Sequence, residues 1–112
     1  MAYSEDLAGR VRDLLAGHEG LTEKKLFGGI AFFIQGNMCC GVTKDDLVVR
    51  VGPEGSEAAL AQPGARLMDF TGRALKGFVY VSLAGLRSDA ALAKWVKRGV
   101  DFAASLPPKW RR

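Results

Sequence analysis

The side chains with the greatest capacity for covalent chemistry in this sequence are two adjacent cysteines and one histidine. Cys39 and Cys40 are the only cysteines, and His18 is the only histidine. A thiol becomes a nucleophile when a base or a positive environment converts it to the thiolate. His18 is far from the cysteines in sequence, and no acidic residue is positioned to orient its ring. A cysteine-dependent enzyme is therefore the least favoured function, and we expect no catalytic residues.

A disulfide and a metal site are also disfavoured at these positions. A bond between neighbouring cysteines would close a strained ring and would constrain no loop. Zinc and iron–sulfur sites need several Cys or His ligands at short spacings, which two cysteines and a distant histidine do not provide. We expect no metal and no cofactor, and we expect each thiol to be a small buried hydrophobic side chain.

The stretch around the cysteines, LFGGIAFFIQGNMCCGV, predicts the centre of an antiparallel sheet. Apolar residues alternate in three short runs, over residues 30–34, 38–42 and 47–51. The two connections contain Gly, Asn and Asp, which tolerate the positive φ angles of hairpin turns. Successive strand residues point to opposite faces, so we expect the two thiols to lie on different faces of the sheet. The preceding Gly28-Gly29 predicts a bulge or a sharp bend.

Helices and further strands are predicted around this three-stranded meander. Ser4 is a suitable N-cap for a first helix that runs to about Gly17. A short second helix is predicted with Pro53 in its first turn, and its alanine-rich part at residues 58–61 ends before Gln62-Pro63-Gly64. Two more strands, over residues 66–70 and 78–83, are separated by the basic loop TGRALKG.

The last helix opens at Ser88 and carries an apolar stripe that should pack on the sheet. The stripe is formed by Leu92, Trp95, Val96, Gly99, Phe102, Ala103 and Leu106. Gly99 lowers helix propensity by about 1 kcal/mol relative to alanine, which indicates a close approach of the helix backbone to a neighbouring element. The element order α-β-β-β-α-β-β-α predicts an α+β fold in which helices cover an antiparallel sheet.

The size and composition favour a single domain over residues 1–112. The 112-residue chain is 48% hydrophobic and 25% charged, which is too apolar for a disordered segment. Its first residues have no signal-peptide pattern, and no apolar run reaches the length of a membrane span. We therefore expect a soluble, cytoplasmic protein without a membrane partner, either a monomer or a homodimer.

The charges are unevenly distributed along the chain, whose net charge is +4. Residues 1–70 carry 7 basic and 10 acidic side chains, whereas residues 71–112 carry 9 basic and 2 acidic ones. Such asymmetry suggests an anionic partner. Lys94, Lys97 and Arg98 lie on one flank of the last helix, away from its apolar stripe. They form either a solvated helix face or part of a positive binding surface, and the sequence leaves both open.

Four separated motifs resemble the TfoX (Sxy) N-terminal domain family. They are KKLFGGIAFFIQGNMCCGV, DDLVVRVGPE, QPGARLMDFTGRALKGFVYV and FAASLPPK, in the family's order. The chain departs from the family's pattern at Leu26, where Met is common, and at Ala74-Leu75, where Pro-Met is typical. The resemblance implies an α+β fold similar to the YjbR-like and secretion-chaperone-like domains. It also implies a role like that of full-length TfoX proteins, which carry a second domain and regulate natural-competence genes together with the cAMP receptor protein.

Two functions compete on this basis. The first is a regulatory interaction domain that binds a transcription-related protein partner. Because no helix-turn-helix, zinc-finger or RNA-binding signature is present, we expect any contact with DNA to be non-specific and to involve phosphates. The second is a sensor that binds a small anionic ligand between the sheet and a helix, with Arg50, Arg73, Lys76 and Tyr80 as polar contacts.

Overall fold

Six antiparallel strands and three helices form an α+β fold within residues 3–26, 28–70 and 73–107, the parts of the chain that the computed structural model describes. Side chains are described for these residues except 26, 67–70 and 73–76. The elements are α1 (Glu5–Leu15), β1 (Leu21–Leu26), β2 (Gly29–Ile34), β3 (Asn37–Thr43), β4 (Asp46–Arg50), α2 (Ser56–Leu60), β5 (Ala65–Phe70), β6 (Arg73–Val81), a 3-10 turn (Leu83–Gly85) and α3 (Asp89–Ala104). The predicted fold class is confirmed.

The sheet has the strand order β1-β2-β3-β4-β6-β5, and its helices lie on one face. Helix α3 packs across β2, β3 and β4, α1 packs on α3 and β3, and α2 lies against β5 and β6. Alternate strand residues, among them Phe32, Val49 and Val79, point toward the helices and are fully buried. Within the described parts of the chain, no helix contributes to the opposite face, where Val48 and Tyr80 lie.

Helix α1 begins as its sequence predicts. The Ser4 hydroxyl accepts a hydrogen bond from the Leu7 amide at 3.1 Å, which satisfies one of the free amide groups of the first turn. Leu7, Val11 and Leu15 are buried in the core. The helix ends at Leu15, two residues before the predicted end, and His18 lies just beyond it with its ring Nδ1 3.1 Å from the Leu15 carbonyl oxygen.

Helix α3 is held against the sheet by a very close contact between two backbones. Gly99 faces β3 so closely that a Cβ atom at this position would collide with the carbonyl oxygen of Cys39. Leu92 and Trp95 of the predicted stripe are buried in the same core. At the far end of the helix, the buried Asn37 side chain donates a hydrogen bond from Nδ2 to the Pro107 carbonyl oxygen at 2.9 Å. The predicted close approach at Gly99 is confirmed.

Two parts of the predicted strand pattern are wrong. The segment Leu21–Leu26, for which no strand was expected, forms edge strand β1 and pairs along its whole length with β2. Its sequence, LTEKKL, lacks apolar alternation because an edge strand buries little surface, and its partner rather than its pattern determines its conformation. The segment TGRALKG is mostly strand, since β6 begins at Arg73 and ends at Val81. Thr71 and Gly72 of the expected loop lie outside the described residues.

The contact at Gly99 predicts opposite effects of the same substitution in two helices. Gly99→Ala should destabilise the protein by about 2 to 3 kcal/mol, because the added methyl group meets backbone that cannot move without displacing α3 or β3. Gly9→Ala, in the middle of α1 with open space at its Cβ position, should stabilise it by about 1 kcal/mol through helix propensity. Urea denaturation of both variants measures the two effects, and stabilisation by Gly99→Ala would contradict the packing described here.

An ion pair joins α1 to the edge strand and predicts a pH dependence. Arg12 binds Glu23 through two hydrogen bonds of 2.9 Å, and this contact holds the pKa of Glu23 below its ordinary value. A lowered carboxyl pKa contributes stability that is present above the unfolded-state pKa and is lost as the pH falls through the folded-state pKa. Since the pair is partly exposed, Glu23→Gln should cost less than about 1 kcal/mol at pH 7.

The stability difference between wild type and Glu23→Gln should disappear at a pH below the folded-state pKa of Glu23, where the wild-type side chain is also neutral. Chemical denaturation at neutral and acidic pH tests this expectation. A difference that persists unchanged in acid would assign the effect to packing rather than to the charge of Glu23.

Candidate functional site

A cleft lies between the first half of α3 and two loops at the β5–β6 end of the sheet. The loop between α2 and β5 contributes Gln62 and Pro63, and the 3-10 turn after β6 contributes Ala84 and Gly85. The residues from the α3 side are Ser88, Ala90, Ala91, Lys94, Trp95 and Arg98. The cleft has a volume of about 400 Å³, which lies within the range of small-molecule sites.

The wall opposite α3 is built from main chain that packs closely. A Cβ atom on Gly64 would lie 2.9 Å from the Gly85 nitrogen, and one on Gly85 would lie 2.6 Å from the Pro63 carbonyl oxygen. The Ser82 amide also donates a hydrogen bond to the Gly64 carbonyl oxygen at 2.9 Å. Gly64 has a φ of +82°, a conformation that glycine adopts at little cost. The two loops therefore form one continuous wall whose position main-chain contacts determine.

The opposite side of the cleft carries positive charge from α3. Lys94 and Arg98 lie one helical turn apart and both line the cleft. The Arg98 guanidinium carbon lies 5.1 Å from the centroid of the Trp95 ring, and this ring is 5% exposed. Lys97 is separate from the cleft, because its ammonium group pairs with Asp101 at 2.9 Å on the exposed side of the helix. The three cations predicted to share one flank are thus divided between a cleft and an open surface.

The structure locates Arg50 and Tyr80 on neighbouring strands away from this cleft. Residue 50 of β4 pairs with Phe78 of β6, and its guanidinium carbon lies 5.7 Å from the Phe78 ring and 5.2 Å from the Phe102 ring. The Tyr80 ring lies 4.8 Å from the guanidinium carbon of Arg66. Both side chains are therefore in contact with residues of the fold itself, and neither lines the cleft.

The two remaining residues of the expected ligand set, Arg73 and Lys76, belong to β6 by their backbone. Their side chains lie outside the described residues. The same is true of the basic residues that follow α3, at positions 109, 111 and 112, which lie beyond residue 107, the last one described.

One family model covers most of the fold that builds this cleft. The TfoX N-terminal domain matches residues 13–103, a range that begins inside α1 and includes all six strands and nearly all of α3. The chain belongs to the TfoX N-terminal domain family. No curated protein and no solved structure matches the chain significantly. The resemblance predicted from four motifs is confirmed, whereas the likeness to YjbR-like folds stays a prediction.

In this TfoX N-terminal domain the two cysteines touch each other, contrary to the expectation that they lie on opposite faces. Phe32 pairs with Cys40 and Phe33 pairs with Met38, so Cys39 is an extra residue of β3 that has no partner in β2. This bulge changes the direction of the Cys39 side chain and brings the two sulfur atoms to 3.8 Å. Strand alternation fails here because the bulge breaks the two-residue period that the prediction assumed.

The cysteine pair is inaccessible in the folded domain. Both thiols are free, and both residues are 0% exposed. The Cys39 thiol donates a weak hydrogen bond to the Phe32 carbonyl oxygen at 3.5 Å. Contact with the Cys39 thiol and burial both raise the pKa of Cys40 well above its ordinary value. The same contact lowers the pKa of the Cys39 thiol, but this thiol is equally buried, and a thiol that reagents cannot reach is a poor nucleophile. Both residues therefore behave as part of the core.

The cleft was not predictable from any local motif. Its walls come from residues 62–64, 84–85 and 88–98, and the first two groups look like ordinary loops in the sequence. Trp95 was expected in the core, where it does lie, but it is also one of the residues that line the cleft. The available signal was the set of small residues around a turn, at Gly64, Ala84 and Gly85, which permits close backbone packing.

Burial of the cysteine pair predicts protection from alkylation. Cys39 and Cys40 should remain unmodified by iodoacetamide at neutral pH in the native protein and should react fully after denaturation. An Ala104→Cys variant, which adds a thiol at an exposed helix position, provides the positive control. Mass spectrometry of peptides counts the modified thiols. Rapid native labelling of Cys39 or Cys40 would support a reactive site after all.

Proposed function

We propose that this TfoX N-terminal domain is a regulatory interaction module that acts on transcription through a protein partner. Membership of the family supports this proposal, since the resemblance to full-length TfoX proteins implies a role in the regulation of genes. The observation that carries it is the exposed side of α3. The apolar stripe of this helix is buried on the sheet, and Lys94 and Lys97 are exposed, so this part of the helix surface is available to a partner.

The partner surface that fits α3 is an acidic region of a protein. Lys94 and Lys97 are exposed on successive turns, and Arg87, which is also exposed, precedes the helix in the sequence. Exposed lysines keep their hydration until a partner arrives, and complementary charge then steers the encounter and selects the orientation. Acidic side chains of a partner would replace water at Lys94 and would compete with Asp101 for Lys97 on the exposed side of the helix.

Sequence-specific recognition of DNA is less well supported by the geometry of α3. Lys97 already pairs with Asp101, and Asp89 lies in the first turn of the same helix. A helix inserted in the major groove would bring these carboxylates close to phosphate oxygens, which carry the same charge. Contact with DNA is thus expected to be weak, strongly dependent on salt and independent of base sequence.

A matched pair of double variants tests the proposal. Lys94→Ala/Lys97→Ala removes two exposed lysines from α3, and Lys24→Ala/Lys25→Ala removes two exposed lysines from edge strand β1. We expect the α3 variant to bind its transcription partner about tenfold more weakly than wild type, since exposed ion pairs contribute up to about 1 kcal/mol each. The β1 variant has the same net charge and should bind like the wild type.

The measurement combines affinity capture from extracts of the native host with binding of the purified proteins. The proposal expects a transcription protein to be enriched by the wild type and by the β1 variant, and to be depleted for the α3 variant. Fluorescence anisotropy with two unrelated DNA duplexes at two salt concentrations provides the comparison. Equal loss of capture in both variants would mean that net charge alone, and not the α3 surface, causes the loss, and this would contradict the proposal. Tight, sequence-dependent binding to one duplex would also contradict it.

A further inference from the structure

The cleft beside α3 has the size of a site for a small molecule and is open to solvent. It is a concave surface of about 400 Å³ with α3 on one side and the paired loops on the other. Its small lining residues, Ala84, Gly85, Ala90 and Ala91, leave room between the helix and the loop wall. Because these walls are held by main-chain contacts and by core packing, the cleft is present before any ligand arrives.

The charge in the cleft selects an anion. Lys94 and Arg98 both line it, and no Asp or Glu is among its lining residues. Among the residues whose side chains are described, neither cation has a carboxylate partner, whereas Arg10, Arg12, Arg66 and Lys97 each pair with a carboxylate. Two positive groups that converge on one concavity without a counter-charge are suited to a phosphate or a carboxylate.

The remaining surface of the cleft suits a flat, apolar body attached to that anion. The side chains of Pro63 and Ala91 provide apolar contact, and beside them the Arg98 guanidinium lies 5.1 Å from the centroid of the indole ring of Trp95, which is 5% exposed. The Gln62 amide lies on the opposite wall, where its Nε2 group makes only a long hydrogen bond of 3.4 Å to the Ala58 carbonyl oxygen. This amide can donate to or accept from a polar substituent on the ligand.

We propose that the cleft between α3 and the 62–64 and 84–85 loops is a binding site for a small organic anion, a phosphate or a carboxylate carried on a flat ring. Lys94 and Arg98 bind the anionic group, and Pro63 and Ala91 contact the ring beside the small exposed part of Trp95. The two proposed roles share Lys94, whereas Arg98 lines only the cleft and Lys97 belongs only to the exposed surface, so the roles are separable at Arg98 and Lys97. A ligand bound here would lie beside the helix that faces the partner and would neutralise part of its charge.

The experiment uses the full chain labelled with ¹⁵N and four defined probes. Phenyl phosphate and benzoate carry the two candidate anionic groups on a ring, inorganic phosphate has no ring, and benzyl alcohol has no charge. We expect phenyl phosphate or benzoate to shift the backbone resonances of Ala90, Ala91 and Lys94 and the indole NH resonance of Trp95. Inorganic phosphate should bind at least tenfold more weakly than the better ring anion, and benzyl alcohol should cause no saturable shift.

Three variants locate the binding. Lys94→Ala/Arg98→Ala should lower the affinity for the better ring anion at least tenfold. Lys97→Ala removes a cation that is already paired outside the cleft, so it should leave this affinity unchanged. Ala90→Leu fills the mouth of the cleft and keeps both cations, so it should also weaken binding at least tenfold. Spectra of each variant without ligand establish that the fold is retained.

Several outcomes would overturn the proposal. Absence of shifts with every probe at millimolar concentration would exclude the site, and shifts of equal size with benzyl alcohol would leave only an apolar cleft without selection for charge. Equal weakening by Lys97→Ala would assign the binding to the open helix surface. Because Lys94 is shared by both proposals, they are distinguished at the unshared residues: partner capture is measured with Lys97→Ala and ligand titration with Arg98→Ala, and each can fail without the other.

Discussion

The contact between Gly99 and the Cys39 carbonyl group is the constraint on which the rest of the domain depends. It brings the backbone of α3 against the backbone of β3, a distance that no side chain at position 99 would permit. The helix can therefore bury Leu92, Trp95 and Val96 on the sheet at close range. Dispersion and hydrophobic contacts both decline steeply with separation, so the close packing between α3 and the sheet depends on glycine at position 99.

Hydrogen bonds at the two ends of α3 complement this central contact. At its start, the Ser88 hydroxyl accepts from the Ala91 amide, and Arg10 of α1 donates to the Leu86 carbonyl oxygen and binds Asp89. At its end, Asn37 donates to Pro107. Helix α3 is thus attached to the β2–β3 hairpin and to α1 as well as to the centre of the sheet. These attachments determine the position of α3 relative to the loops at residues 62–64 and 84–85, and they therefore determine the width of the cleft.

The same arrangement explains why the cysteine pair and the basic residues of α3 differ so much in their access to solvent and to ligands. Cys39 and Cys40 lie beneath the helix at the point of closest approach, where burial keeps the thiol of Cys40 protonated. Lys94 and Arg98 lie on the side of the helix that faces the loops, where water reaches them and no carboxylate of the described residues pairs with them. Reactivity is suppressed in the core, and the capacity to bind anions is concentrated at its edge.

Within the described residues no three His, Cys, Asp or Glu side chains are grouped as a metal would require, and no helix is long and apolar enough to span a membrane.

The sequence by itself determined the α+β class, the first and last helices with their serine caps, the central strands and the family. These features depend on local periodicity and on cap and turn residues, which short windows of sequence contain. It also indicated the close approach at Gly99, because a glycine inside a strongly amphipathic helix has a local cost that only packing offsets.

The tertiary structure alone decided the edge strand, the bulge and the cleft. Strand β1 has no apolar alternation and forms because β2 offers its hydrogen-bonding edge. The bulge at Cys39 changes the pairing register by one residue, and the strand's own sequence contains no signal for that change. The cleft joins residues 62–64, 84–85 and 88–98, which meet only after α3 has packed on the sheet. Separation of Lys97 from Lys94 and Arg98 likewise follows from where the loops lie, since helical spacing by itself puts all three cations on one flank.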